Sequence, residues 1–504
     1  MIQLLRPYRA WVITAFIGSI LISLWSLYAD GIINNDGVEY VHAANQMLEG
    51  NWRDAVRLFK WPFYPFLLSL GSSISGLDAE TVSYILNALF YGIVVVTFIA
   101  LCAEYGGDRR VVIAAIFVIL LLPSLNNIRS YVIRDPGYLA FYLLALLYFT
   151  QFYKAPSMAR GIAGMGCLVL ATLFRVEGLA FLAFTPFLFF TKRSRHPVAI
   201  ILVLLALVGV VFVFGWWAFQ PTQTLDYASV FHQPVSVIQN AWTQISQATA
   251  ARLDLIEGKL LSRHNKDFGV IVLIVTGLVI VIVESFGKLT VIHAGLIVYG
   301  LRQEILFPIA RLRKLWLGIC LINLVVLTVY IFAHWIVAPR YPLALALTLL
   351  IASPFTLAHL WKRWSEHTER RGRRWILPTF VILILLMGIN GLDLATRKKH
   401  LKEAGIWLKD NAPHNASIYT NDKILGYYSG REAEVGDYYG YSKELLSQVF
   451  ASWWGYDYIA IRIKREQRNF APMVINHLRH KPDAMFKNDK ADTVLIYKTI
   501  RPKN

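Results

Sequence analysis

Charged residues are scarce in this sequence. They fill only 16% of its 504 positions, whereas hydrophobic residues fill 56%. A soluble domain carries about 25% charged residues. The apolar residues also form runs with almost no charge, at residues 11–28, 198–219, 268–283, 315–332 and 376–389. Because a helix needs about 20 mostly apolar residues to cross the hydrocarbon core, these runs exclude an ordinary soluble protein and predict a chain that crosses a membrane many times.

Cysteine is equally scarce, and its distribution excludes two classes of site. The three residues, Cys102, Cys167 and Cys320, all lie in apolar runs and have no metal-ligand spacing. Neither a disulfide framework nor a cysteine-based metal site is therefore predicted.

The first apolar run has no convincing small-residue cleavage site, which predicts an uncleaved first span rather than a signal peptide. No internal repeat or low-complexity tract is visible.

The net charge of +18 reflects membrane topology rather than nucleic-acid binding. Lys and Arg collect in short loops between apolar runs, at residues 109–110, 192–195, 311–314 and 362–374. Such clusters mark cytoplasmic loops. With a cytoplasmic N-terminus they alternate correctly and predict about eleven spans within residues 1–395, with long outer loops at 29–80 and 220–267. The segment 289–301 fits either an interfacial helix or part of a longer, bent span.

A different composition begins near residue 396. Segments 416–420, 456–463 and 493–499 alternate in polarity and favour β-rich residues, which predicts strands. Residues 442–451 and 471–479 are typical of helices. Residues 396–504 are therefore predicted to form a small α/β domain outside the cytoplasm, with a periplasmic C-terminus.

Charged and aromatic side chains recur at the outer ends of the predicted spans. They are Asp36, Glu39, Tyr40, Lys60 and Tyr64 in the first loop, Arg129, Arg134 and Asp135 in the second, Arg175 and Glu177 in the third, and His334, Arg340 and Tyr341 in the fourth. Charges so near a bilayer are costly unless they are paired or used. Arginine suits bidentate phosphate binding, and a carboxylate can act as a general base. The convergence of these charged residues from four outer loops predicts a cleft for a lipid-linked phosphate at the outer leaflet.

Each of these residues also has a plainer interpretation. The local sequence alone favours Asp36 as a helix N-cap. The charges of the second turn could simply form an Arg–Asp pair at the membrane interface. The aromatic and proline residues of 60–65 could belong to an interface belt. The shared position of these residues at the outer ends of the spans, rather than any single motif, favours a functional site.

The motifs in their order resemble the GT-C fold glycosyltransferases that use polyprenyl-phosphate sugars, near the protein O-mannosyltransferases and the bacterial aminoarabinose transferases. The matching pieces lie within residues 1–190 and 330–345. They are DGVEY at 36–40, GNW at 50–52, PFYP at 62–65, RDP at 134–136, RVEG at 175–178 and RYP at 340–342. The resemblance implies a GT-C-like bundle and an inverting sugar transfer at a periplasmic active site of a bacterial inner membrane, from an undecaprenyl-phosphate type of donor to an acceptor hydroxyl or phosphate.

The resemblance also implies roles for single residues. Asp36 would be the general base, Asp135 a second acid that orients the acceptor or a metal, and Arg340 a ligand of the donor phosphate. Weaker candidates for the same phosphate are Arg175, Lys60, Arg134 and Arg129. The substrate pocket would include Glu39, Tyr40, Tyr64, Glu177, His334 and Tyr341. The family often has two adjacent acids in the first loop, but Gly37 follows Asp36 here. No cofactor is therefore certain, and a divalent metal ion stays open.

Other functions compete with this hypothesis. A lipid-linked glycan polymerase or ligase shares the membrane setting and the lipid carrier. A secondary transporter would place its charges near the midplane and often shows inverted repeats, whereas these charges lie at the outer ends of the spans. A structural or assembly subunit is the non-enzymatic alternative. The expected partners are the donor lipid, an acceptor that is a lipid, glycan or protein, and membrane lipids, but no nucleic acid.

Overall fold

The computed structural model describes most of the chain in separate ranges. They are residues 6–185, 249–335 without 263, 340–366, 375–391, 398–436 without 432, and 453–499 without 479 and 490, with isolated residues between 188 and 247 and residue 450. Several predicted features lie outside the described residues, apart from isolated positions. They are the span at 198–219, the outer loop from 220 to 242, the basic residues at 192–195 and 367–374, and most of the helix at 442–451.

Helices form the larger part of the molecule, up to residue 391. They are α1 (Arg9–Asp30), α2 (Asn35–Leu48), α3 (Trp52–Leu58), α4 (Phe63–Ser75), α5 (Ala79–Glu104), α6 (Arg109–Leu120), α7 (Pro123–Asn126), α8 (Asp135–Lys154), α9 (Met158–Phe174), α10 (Gly178–Phe184), α11 (Gly269–Arg302), α12 (Ala310–His334), α13 (Leu343–Leu350), α14 (Ser353–Glu366) and α15 (Ile376–Gly391). Aspartates fix two of the helix starts, because the side chain of Asp78 accepts from Thr81 N and that of Asp108 from Val111 N.

Five apolar segments of the described part are long enough to cross a membrane. They are α1, α5, α12, the segment Lys266–Arg302 around α11, and the segment Leu343–Glu366 that contains α13 and α14. Shorter apolar helices are α9 and the Ile376–Ile389 part of α15. The predicted polytopic helical architecture is confirmed, and the chain is a multi-pass membrane protein. The figure of eleven spans stays a prediction.

Burial separates central helices from peripheral ones. In the most apolar stretch of each span, 89% of the residues are buried in Leu343–Glu366 and 67% in α5, but only 17% in α1. A helix that is apolar all round and still exposes that surface is suited to lipid. We therefore infer that α1 lies at the periphery, and that α5 and α13–α14 lie inside the bundle.

The uncertain segment 289–301 continues the preceding span. It belongs to α11, which runs for 34 residues with one interruption, at Thr290, where φ is 66° and ψ is 153°. No separate interfacial helix starts at this point. The alternative of a longer, bent span therefore describes this segment.

The described residues between 398 and 499 form a five-stranded sheet with three α-helices, which together are the sheet part of the molecule. The elements are α16 (Lys399–Asn411), β1 (Ile418–Thr420), α17 (Lys423–Ser429), β2 (Ala433–Val435), β3 (Tyr458–Ile463), α18 (Ala471–Leu478), β4 (Ala484–Lys487) and β5 (Thr493–Lys498). The strand order is β2-β1-β3-β5-β4. Strand β1 pairs in parallel with β2 and β3, whereas β5 pairs antiparallel with β3 and β4. The predicted strands correspond to β1, β3 and β5, and the predicted helix at 471–479 to α18.

Candidate functional site

Four ends of helices meet at one end of the bundle and bring together charges that are far apart in sequence. Asp36 lies in the first turn of α2, and Asp135 is the first residue of α8, followed by a proline that favours a helix start. Arg175 and Glu177 lie in the turn between α9 and α10, and Arg340 lies just before α13. The predicted convergence of these four loops is therefore present in the structure.

An unbroken series of ion pairs links these side chains. Arg340 Nη2 binds Asp36 Oδ2, and Arg340 Nε lies 3.6 Å from Asp135 Oδ2. Arg175 Nη1 binds the other oxygen of Asp135. Arg175 also binds Glu177 through Nη2, and its Nε donates to Glu177 Oε2 over 3.2 Å. The series Asp36–Arg340–Asp135–Arg175–Glu177 thus alternates in charge.

Exposure divides the charged series into an open end and a buried end. The side chain of Asp36 is 42% exposed and that of Arg340 is 20% exposed, whereas Asp135 and Arg175 are each 4% exposed. Breaking a buried pair by removing one partner is strongly destabilising, because it leaves an uncompensated charge. Asp36 is therefore accessible to a ligand, whereas the buried Asp135–Arg175 pair holds a fixed position beneath the site.

The neighbouring charges shift the pKa values of Arg175, Glu177 and Arg340. Burial alone would lower the pKa of Arg175, but the carboxylates of Glu177 and Asp135 outweigh it and raise that pKa. Burial would raise the pKa of Glu177, and the guanidinium of Arg175 lowers it instead. The pKa of Arg340 is raised in the same way, by Asp135 and Asp36 against burial. At neutral pH both arginines therefore stay protonated and Glu177 stays ionised.

Aromatic rings stack on the buried end of the series. The Arg175 guanidinium lies 4.2 Å from the ring centroid of Tyr341 and 5.7 Å from that of Tyr138. Tyr341 stacks on Tyr330 at 4.2 Å, and His334 lies 4.6 Å from the Tyr330 ring. The sequence reasoning missed Tyr138 and Tyr330. Helical spacing could have found both, because Tyr138 lies three residues after Asp135 and Tyr330 four before His334.

A cavity beside this arrangement has charged, aromatic and apolar walls. Its charged lining residues are Asp135, Arg175, Glu177 and Arg340, its tyrosines are Tyr138, Tyr330 and Tyr341, and the other lining residues are Leu139, Phe181, Asn323, Val326, Leu327, Ala344 and Leu345. A site with a few convergent polar groups and otherwise apolar walls suits an amphipathic ligand.

Four residues predicted for the substrate pocket lie outside the cavity lining: Glu39, Tyr40, Tyr64 and His334. Tyr40 is buried beneath the first loop and packs edge-on against Tyr64 at 5.3 Å. Burial is the main reason why its pKa rises to about 12. Tyr64 is also buried and donates to Asn87 Oδ1 over 3.2 Å. Glu39 pairs instead with Lys423 of the sheet part. The two tyrosines are therefore part of the buried packing of the first loop.

The remaining basic residues predicted for the phosphate have three different environments. Arg129 is buried and donates to Ser19, Ser23 and Asn126, so it anchors α1 and does not reach the charged series. Arg134 is partly buried, with its guanidinium 5.2 Å from the ring centroid of Phe59. Within the described ranges Arg134 forms no ion pair, although its charge helps to lower the pKa of Glu177. Lys60 is exposed, and among the described residues nothing joins it to the series.

The expected N-cap role of Asp36 is wrong. Asn34 occupies the N-cap position of α2, and Asp36 lies inside the first turn with its carboxylate on Arg340. Asn34 itself does not cap the helix, because its Oδ1 accepts from Val132 N over 2.8 Å. Within the part of the chain that the structure describes, no group of three or more His, Cys, Asp or Glu side chains is placed to hold a metal ion. The three acids of the site are each paired with an arginine.

The solved structures that are similar to this chain over most of its length include those of AglB and ArnT. Archaeal oligosaccharyltransferase AglB from Archaeoglobus fulgidus, in complex with an inhibitory peptide and a dolichol-phosphate, is 14% identical, with a TM-score of 0.57 over 93% of this chain and 71% of that one. ArnT from Cupriavidus metallidurans in the apo state is 12% identical, with a TM-score of 0.52 over 97% and 98% of the two chains. ArnT bound to undecaprenyl phosphate gives a TM-score of 0.51, at the same identity and coverage.

These similarities establish the fold. The chain has the GT-C fold that it shares with AglB and ArnT, which confirms the fold expected from the sequence motifs. No protein-family model matches the chain, and no curated protein matches it by sequence. At 12–14% identity the similarity is one of architecture.

Proposed function

We propose that this protein is an inverting membrane glycosyltransferase that takes a sugar from a polyprenyl-phosphate donor and passes it to an acceptor hydroxyl or phosphate. The observation that carries the proposal is the exposed Asp36 carboxylate held on Arg340, a residue that lines a cavity with both charged and apolar walls. The similar structures of AglB and ArnT contain a dolichol-phosphate and undecaprenyl phosphate, respectively. We place the active site on the periplasmic face of an inner membrane, with the N-terminus in the cytoplasm, because the basic loops alternate in that sense.

The proposed reaction needs a base for the acceptor and a cation for the leaving phosphate. In transfer to a hydroxyl, the acceptor oxygen forms the new bond to the anomeric carbon and loses its proton to Asp36. The bond between that carbon and the phosphate oxygen breaks, and its electron pair stays on the phosphate. A positioned base and preorganised cations supply these two contributions.

Arg340 suits the role of phosphate ligand better than Arg175. Arg175 is buried and already satisfies two carboxylates, so it fixes Asp135 and Glu177. Arg340 is more exposed, and its Nε has no hydrogen-bond partner in the described structure. A donor phosphate that takes the place of Asp36 on Arg340 would release the Asp36 carboxylate for the acceptor proton. Arg134, partly buried and without an ion pair within the described ranges, is the second cation that we assign to the phosphate.

The Asp36→Asn variant tests the proposed base. We expect transfer of a labelled sugar from an undecaprenyl-phosphate donor to fall by about 10²–10⁴, the usual contribution of a general base, with thermal stability near that of the wild type. Asp54→Asn is the matched control, since Asp54 is an exposed acid of the same loop. Wild-type turnover in Asp36→Asn would remove Asp36 as the base.

The lipids that copurify with the protein test the donor class independently of any acceptor. Mass spectrometry of the purified protein is expected to find a polyprenyl phosphate, and a sugar attached to it would identify the donor. A preparation that carries only bulk phospholipids, and that fails to bind added undecaprenyl phosphate, would contradict the proposal.

A further inference from the structure

Helix α17 of the sheet part lies against α2, the helix that carries Asp36. Lys423, the first residue of α17, places its Nζ 2.5 Å from Glu39 Oε1. Glu39 follows Asp36 by three residues, so the two acids lie on neighbouring positions of one helix face. An ion pair between the two parts of the molecule therefore forms within one turn of the proposed base.

A second contact between the same two parts involves Glu80 at the start of α5. Its carboxylate accepts from three tyrosine hydroxyls, those of Tyr84 at 3.1 Å, Tyr427 at 2.9 Å and Tyr428 at 3.0 Å. The hydroxyl of Tyr428 also accepts from the backbone N of Ile33 over 3.1 Å. One tyrosine of α17 is thus fixed on α5 and holds the segment just before Asp36.

We propose that Lys423 and Tyr428 are positioning residues that hold Asp36 in place for transfer. This inference rests on the proposed role of Asp36. Tyr428 holds the chain three residues before Asp36 and Lys423 holds it three residues after. A base acts only when it stands in line with the proton it removes, and a displacement of about 1 Å can lower the rate by 10²-fold.

The other side of the segment is fixed by the second loop. Asn34 Oδ1 accepts from Val132 N over 2.8 Å. Gly37 lies so close to the same valine that an added Cβ would stand 2.7 Å from Val132 Cβ. The segment from Ile33 to Glu39 is therefore held between the second loop and α17.

Helix α17 is itself anchored to the sheet, as a positioning element requires. The side chain of Asp422 caps the helix by accepting from Ile424 N over 2.9 Å. Arg462 of β3 donates to Asp422 Oδ2 over 2.7 Å and to Asp492 Oδ2 over 2.5 Å. Ion pairs between mostly buried side chains therefore fix α17 to the strands.

Hydrogen exchange tests the positioning without any need for activity. Tyr428→Phe removes the acceptor of the Ile33 amide, so exchange in the 31–40 peptide is expected to accelerate in the full-length protein. Tyr427→Phe is the matched control, because it removes one hydroxyl from Glu80 and leaves the Ile33 bond in place. Equal exchange in Tyr428→Phe and in the wild type would overturn the proposal, whether or not the protein transfers sugar.

Kinetics distinguish positioning from a merely structural role. In Lys423→Gln and Tyr428→Phe we expect kcat to fall by about tenfold, the effect of one lost hydrogen bond, while KM for an undecaprenyl-phosphate sugar stays unchanged. Lys423→Arg, which keeps the cation, is expected to restore kcat. A rise in KM with unchanged kcat would overturn the inference. A wild type that transfers nothing while Tyr428→Phe still accelerates exchange would refute the proposed function and leave the positioning intact.

Discussion

Arg340 occupies the point in the site where the exposed and buried charges meet. It binds Asp36, lies 3.6 Å from Asp135, and keeps one donor without a partner in the described structure. The planar guanidinium offers five donors in a fixed fork, so it can exchange a carboxylate for a phosphate without losing its charge. The Asp36–Arg340 pair therefore holds the proposed base and the proposed phosphate ligand next to each other.

Replacement of Arg340 tests its role toward the donor. We expect Arg340→Gln to weaken binding of undecaprenyl phosphate by about 10- to 100-fold, because a charge-assisted hydrogen bond contributes roughly 1.5–3 kcal/mol. Arg340→Lys should recover only part of the loss, since an ammonium cannot bind in a bidentate way. Binding would be measured by native mass spectrometry, with Arg57→Gln as a control in an exposed pair. Unchanged affinity together with a lower Tm would make Arg340 a structural ion-pair partner instead.

Some features of the site were predictable from the sequence and others were not. Asp135, Arg175 and Arg340 each follow or precede an apolar segment, so topology alone predicts that they share one depth. Their pairing could not be predicted, because it depends on how the loops fold back. Arg129 shares the same sequence context as Arg134, yet it donates to Ser19 and Ser23 of α1. Only the packing of α1 separates these two arginines.

At the scale of elements, α11 contains the most unusual backbone of the described spans. Thr290 has a φ of 66° and a ψ of 153° within a 34-residue helix. Residues other than glycine rarely adopt this conformation, which costs about 1–3 kcal/mol. Glu284 and Lys288 interrupt the apolar run before Thr290, but nothing in the sequence marks Thr290 itself as the position of a bend. That position depends on tertiary packing, which hydrophobic periodicity does not show.

Thr290→Gly tests the strain in α11. Glycine adopts positive φ freely, so we expect the variant to be more stable than the wild type by about 1 kcal/mol, seen as a higher Tm in detergent. The substitution also removes a weak hydrogen bond, from Thr290 Oγ1 to Met387 Sδ at 3.7 Å. Thr276→Gly, in a regular turn of the same helix, should lower the stability by about 0.5–1 kcal/mol. A similar loss in both variants would show that Thr290 is not strained.

At the scale of the whole molecule, the contact between the sheet part and the first loop was not predictable. The strands could be predicted from alternation, but Glu39 and Lys423 are separated by 384 residues, and Glu80 and Tyr428 by 348. Nothing in local patterning relates residues so far apart. The sequence therefore predicts an α/β appendage, whereas the structure shows an element that contacts the segment carrying the proposed base.

The anchor of that element should depend on pH through Asp492. Burial would raise the pKa of Asp492, but the nearby His400 ring, with Nε2 at 3.6 Å from Asp492 Oδ1, and the hydrogen bonds from Arg462 lower it to about 2. A carboxyl group with a depressed pKa in the folded state stabilises the fold above its unfolded value of 3.8, and this stabilisation is lost as the pH falls toward 2. Protonation would remove one of the two carboxylates that hold Arg462, and with it part of the support of α17.

Cleavage of the full-length protein by pepsin between pH 4 and pH 2 tests this dependence. We expect cleavage within residues 398–499 to increase as the pH falls, after correction for the pH dependence of pepsin on an unfolded substrate. Asp492→Asn should be cleaved more readily at pH 4 and should lose most of the pH dependence, because the titrating group is absent. Asp489→Asn, an exposed acid nearby, should behave like the wild type. If Asp492→Asn kept the wild-type pH dependence, another group would have to titrate. If the expected dependence is found, loss of the sheet anchor at low pH should also accelerate exchange in the 31–40 peptide, since Lys423 and Tyr428 reach that segment only through α17.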